Sequence, residues 1–189
     1  MKRKREEFLI QQQQTITELH HDLKSGITMK GALVSFALLH GGKDIENRTK
    51  RIKPGWYALH TGSSKIDPSI EKYVLINLKK TMVEKEIPKE KDLPHSCIVG
   101  AFHISGSDEL KNNKELEKNG WSLGPICNYV DKAFAFDKPI ATKGAITLGW
   151  GFDCIDKRNK DPIGTLKGKI TKELNEKSEK IKIELEKLG

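Results

Sequence analysis

Apolar residues recur along the chain in helical and strand periods, and these periods predict most of the elements. From Glu6 to Lys24, the residues Phe8, Gln12, Ile16, Leu19 and Leu23 fall three or four apart, which predicts an amphipathic helix ended by Ser25-Gly26. Ile27 to Lys30 reads as a first strand, and the apolar run Gly31 to His40 as a helix stopped by Gly41-Gly42. Trp56 to His60, after the turn Pro54-Gly55, reads as a strand. Asp67 caps a predicted helix with Pro68 at its first position, and Ile70, Val74, Leu78 and Met82 carry it to about Lys85.

The second half alternates in the same way. Ile87 to Pro94 is a linker with two prolines, and Ser96 to Ile104 is a central strand by its apolar content. Ser107 to Asn119 is read as a short helix capped by Ser107, followed by an irregular segment around Trp121. Lys132 to Phe136 alternates as a strand, Pro139 marks its edge or end, and Gly144 to Trp150 is the last strand. Asp153 to Gly168 reads as a loop. Leu166 to Leu188 is a charged helix with Ile170, Leu174, Ile181, Leu185 and Leu188 on one stripe, interrupted by Lys177. Three units follow: a basic tip and helix over 1–25, a mixed domain over 26–152, and a loop with a helix over 153–189.

Composition narrows the function classes. Charged residues make up 32% of the chain, so the surface is heavily charged, and no apolar run approaches the length of a membrane span. Met-Lys-Arg-Lys-Arg-Glu-Glu at the start is followed by no apolar stretch and cleavage site, so a secretory signal is not expected. Lys2 to Arg5 is either a nuclear-import signal or a solvated basic tip. Cys97, Cys127 and Cys154 are sparse and odd in number, which suits a reducing cytoplasmic or nuclear setting and gives no disulfide or zinc framework. His20 and His21 are adjacent on a helix and point apart, so they are not a joint metal site. No metal or cofactor is expected.

The net charge of +8 favours anionic partners. Most of the excess lies within residues 25–151 and is densest at Lys43, Arg48, Lys50, Arg51 and Lys53. This basic stretch contains Gly41, Lys43, Glu46 and Arg48 in the spacing G-x-K-x-x-E-x-R. If Asp44 to Arg48 is extended, Glu46 and Arg48 share a face and either pair or line a cleft. Arg and Lys donate hydrogen bonds and Glu accepts them, which is the chemistry of a nucleobase edge or an anion site. Trp56 and Trp121 are either stacking platforms or core residues, and His60 ends the strand that follows the motif. G-x-S-x-G, H-E-x-x-H and P-loop motifs are absent.

The G-x-K-x-x-E-x-R stretch resembles the signature of the ASCH family, the activating-signal-cointegrator homology domain of the PUA-like superfamily. Gly41, Lys43, Glu46 and Arg48 match every fixed position, and Gly55 to His60 is similar to the strand that continues it. Leu93 to Ala101 and Phe134 to Ile140, with Gly144 and Leu148 beyond, look like later strands of that domain, so the resemblance covers roughly 26–152. One departure stands out: many members carry Q-P-W where this chain has Ala32-Leu33-Val34.

The resemblance implies an α+β fold, a PUA-like small β-barrel with flanking helices, here with N- and C-terminal helical extensions. It implies a module binding single-stranded RNA or a modified nucleobase through Gly41, Lys43, Glu46 and Arg48, to which the local charge and the nearby rings add Lys50, Arg51, Trp56, His60 and Trp121 as candidate contacts. Two alternatives remain open. Some ASCH proteins are amidohydrolases acting on N-acetylated cytidine, with a catalytic lysine matching Lys43; their threonine falls where this chain has Glu46, and their second glutamate has no clear counterpart. The cointegrator branch suggests instead a transcription-linked module that docks a protein partner through its terminal helices.

Overall fold

Six strands form one curled sheet in the order β2-β5-β4-β3-β1-β6, a half-barrel with several helices packed against it. The computed structural model describes residues 2–143, 149–159 and 164–189. The elements are α1 (Lys2–Asp22), β1 (Ser25–Met29), α2 (Ala32–His40), β2 (Ile45–Arg48), β3 (Gly55–Thr61), α3 (Pro68–Thr81), β4 (Cys97–Glu109), α4 (Lys114–Lys118), β5 (Ile126–Ala141), β6 (Trp150–Gly151), α5 (Phe152–Asn159) and α6 (Leu166–Leu188). Strands β1 and β3 are parallel; every other pairing is antiparallel. An α+β half-barrel with flanking helices is therefore the architecture.

Three apolar clusters hold it together. Inside the curl lie Ile27, Met29, Leu38, Ile52, Leu59, Phe102 and Ile104. Leu33, Ala37, Ile45, Val74, Leu78 and Trp121 join α2 and α3. On the outer face, Leu9, Ile16 and Leu19 of α1 and Ile170, Leu174 and Ile181 of α6 pack with Trp56, Phe134 and Trp150. Helices α1 and α6 run antiparallel, since Arg5 pairs with Glu184 and Gln13 donates to Ser178 Oγ at 2.6 Å. No helix among the described residues is long and apolar enough to cross a membrane.

Several local readings are corrected. Leu9, not Phe8, supplies the first buried position of α1; Phe8 is 48% exposed. The two differ by about 100° around the helix, and the partner α6 selects which one faces inward. Ser107 belongs to β4, and the following short helix is capped by Asn113, whose side chain accepts from the amides of Glu115 and Leu116. Strand β5 begins at Ile126, well before the alternating Lys132 to Phe136. Residues 153–159, read as the start of a loop, belong to α5 (Phe152–Asn159), because Phe152 and Ile155 are three apart and both buried. Of the final strand expected over Gly144 to Trp150, only its end is placed, as Trp150–Gly151 paired with β1; residues 144–148 lie outside the described residues.

Candidate functional site

The motif begins where α2 ends. The amides of Gly41 and Lys43 both donate to Ala37 O, at 2.9 and 3.1 Å, so the chain folds back sharply over the last helical turn. Gly42 takes the positive φ of that turn. Gly41 is needed for a different reason: a Cβ there would lie 2.1 Å from Leu78 Cδ2. The reversal carries Lys43 beneath the start of β2, where only 5% of its side chain is exposed.

Strand β2 then sets out the charges. Glu46 is buried, and its carboxylate accepts from Lys43 Nζ at 2.9 Å and from Arg48 Nε at 2.8 Å. Lys43 also donates to Ile45 O. Glu46 and Arg48 thus share a strand face, as their spacing requires. Arg48 Nη2 reaches across the mouth of the curl to Thr28 O at 3.2 Å and Met29 Sδ at 3.5 Å. Because β2 is first and β1 fifth in the sheet order, this side chain links two distant strands of the half-barrel. Arg48 is 28% exposed in its side chain, and its Nη1 has no partner among the described residues.

Thr28 meets His60 through its hydroxyl, not through the carbonyl that Arg48 holds. The His60 Nδ1 lies 3.2 Å from Thr28 Oγ1, and its Nε2 lies 3.0 Å from Thr142 O. Since a carbonyl only accepts, Nε2 carries the proton and Nδ1 accepts from the threonine. Trp150 Nε1 donates to the same Thr28 hydroxyl at 3.0 Å, and its ring meets His60 edge-on. Burial lowers the His60 pKa below the ordinary 6.5, partly offset by the bond to Thr142 O. Burial and the Lys177 charge lower that of His40 as well. A histidine held neutral on folding contributes stability above its unfolded pKa, lost as pH falls from about 6.5 towards the folded value. The expected result is a Tm that falls between pH 7.5 and 5.5, with a smaller fall in His60→Gln. Equal slopes for both proteins, read by circular dichroism melts, would reject this role for His60.

The remaining expected residues divide. Lys50 and Arg51 are exposed on the turn after β2, and Arg51 donates to the Ser107 carbonyl and, at 3.2 Å, to its hydroxyl. Trp121 is buried against Tyr73, but its carbonyl accepts from Asn47 of β2 at 2.8 Å. Trp56 lies in the outer-face cluster, with its indole N–H on Glu18 of α1. The structure therefore brings together Lys43, Glu46 and Arg48, with Lys50 and Arg51 next along the chain; His60 packs instead on Trp150 of the outer-face cluster. Neither Trp56 nor Trp121 has a hydrogen bond or ring contact with Lys43, Glu46 or Arg48. Among the described residues no cluster of His, Cys, Asp and Glu has the arrangement of a metal site.

Two further residues build the site. Asn128, fully buried in β5 opposite Glu46, donates to Glu46 O at 3.0 Å and accepts from Ile52 N at 2.7 Å. It fixes both the backbone under the carboxylate and the return of the basic turn. The only signal in the sequence is a polar residue within an apolar strand. Thr28 is the other, an ordinary strand threonine until its partners are known. The chain matches no protein-family model, and no characterised protein matches it.

Proposed function

We propose that this chain is an ASCH-like, PUA-like module that binds single-stranded RNA or a modified nucleobase at the mouth of its half-barrel. One observation carries the reading: Arg48 is locked by Glu46 and Thr28 on two of its nitrogens, while Nη1 keeps its donors for a ligand. A guanidinium whose position is already fixed loses little freedom on binding a phosphate or base edge. Lys50, Arg51 and Lys53, all exposed beside it, supply the positive potential that draws in a polyanion. Lys43 plays a supporting part, since its ammonium is buried on Glu46.

The test is fluorescence anisotropy with a labelled single-stranded RNA of about ten nucleotides, a length within the usual single-strand footprint. Wild type should bind more weakly as salt rises. Lys50→Ala/Arg51→Ala should reduce the slope of log K against log salt by about 1.4, or ~0.7 per lost phosphate contact. Arg48→Ala, checked by thermal melt for folding, should lose about tenfold in affinity. Wild type that does not bind at low salt, or variants indistinguishable from it, would reject the proposal.

A further inference from the structure

The pairing of β4 with β5 contains a wide irregularity that α6 holds in place. Ile98 faces Ile140 and Gly100 faces Ala135, so Val99 alone stands opposite residues 136–139. The amides of Asp137 and Lys138, turned away from the ladder, donate at 2.7 and 3.0 Å to one carboxylate oxygen of Glu173. Glu173 is a buried residue of α6. Lys177, one turn on, donates to Ala135 O at 2.6 Å and pairs with Asp137 at 3.1 Å. A buried carboxylate and an ordered ammonium thus maintain a bulge, the kind of feature that recurs beside functional sites.

Between this bulge and α2 lies a cavity of about 170 Å³. Its walls are mainly apolar, including Phe36, Leu39, Leu93, Val99, Phe136 and Pro139. It contains none of the motif residues and does not depend on the nucleic-acid reading. Ser35 and Thr61 also line it, 2% and 0% exposed, and are joined by one hydrogen bond of 2.9 Å between their hydroxyls. Two hydroxyls carry two protons, and this bond uses one. The other has no acceptor among the described residues. A buried donor without a partner is costly, and a ligand that supplies an acceptor removes that cost. For scale, an apolar cavity of about 150 Å³ takes benzene.

We infer that this cavity is a second ligand site, fitted to a compact uncharged aromatic ring bearing one carbonyl or ring-nitrogen acceptor for the Ser35–Thr61 pair. The mouth suits a neutral ligand. Asp137 is matched by Lys177 and Lys180, and burial and the Lys177 charge lower the pKa of His40 at the rim.

Acetophenone and α-methylstyrene have nearly the same shape, but only the first has a carbonyl acceptor. Each is titrated into the isotope-labelled full chain and followed by NMR signals of Leu39 and Val99. Both should shift these signals, acetophenone about tenfold more tightly, as expected for satisfying a buried donor. Ser35→Ala/Thr61→Val removes both partners of one hydrogen bond at little change of shape. It should erase the preference while α-methylstyrene still binds. Val99→Phe should abolish both by filling the space, and Lys50→Ala, at an exposed position, should leave both unchanged. Absence of shifts at millimolar probe, equal affinities in wild type, or a preference that survives the double substitution would each overturn the inference.

Discussion

Glu46→Ala lowers the unfolding free energy by about 3–5 kcal/mol, the cost of breaking a buried ion pair from one side. The carboxylate is only 7% exposed and is the anionic partner of two cations, Lys43 and Arg48. Without it the Lys43 ammonium stays 5% exposed with the Ile45 carbonyl as its remaining partner. Arg48 is better placed to tolerate the loss, being partly solvated and still bonded to Thr28 O. Urea unfolding with an unchanged m-value reads the effect directly. A loss under about 1 kcal/mol would place the pair with ordinary surface salt bridges and sink the argument.

The companion variant Lys43→Met/Glu46→Leu separates stability from binding. Replacing both charges by apolar groups of similar size should recover most of the loss, because no uncompensated charge remains. Arg48 is then left without its carboxylate anchor, so RNA affinity should stay reduced while stability returns. That split would identify Glu46 as a positioning residue acting through Arg48.

The motif was legible because its logic is local. Two residues apart on a strand share a face, so Glu46 and Arg48 had to meet if β2 formed, and they do at 2.8 Å. The frame of α6 was legible for a similar reason: its apolar stripe spans the whole helix, from Leu166 to Leu188. Less visible features depend on distant partners. Phe8 and Leu9 are equally apolar, and only packing against α6 buries the second. Trp56 offers the same indole to a base or to a core, and Glu18 on a helix 38 residues earlier in the chain captures it. Asn128 lies ahead of the strand predicted over Lys132 to Phe136, and it is fully buried because two backbone groups satisfy its amide. Lys177 broke the stripe of α6 for the same kind of reason, its ammonium being held by Ala135 O and Asp137.

Glu173→Ala should cost about 2–4 kcal/mol and disturb the sheet at one place only. The substitution removes a charged acceptor from two backbone amides, and hydrogen bonds to charged groups are worth about 1.5–3 kcal/mol each, with some recovery expected from water. The amides of Asp137 and Lys138 have no ladder partner at that bulge, because Val99 is the single residue opposite four. Glu173→Gln keeps a neutral acceptor and should lose roughly half as much, since charge-assisted bonds are about twice as strong. The location of the damage is as diagnostic as its size. Amide hydrogen exchange should rise at residues 135–140 and on the facing turn of α6, and stay unchanged at Lys43 to Arg48. Equal losses for Ala and Gln would mean that Glu173 acts through packing alone. Faster exchange across the whole of β5 would mean that the bulge is a consequence of sheet curvature and that α6 merely covers it.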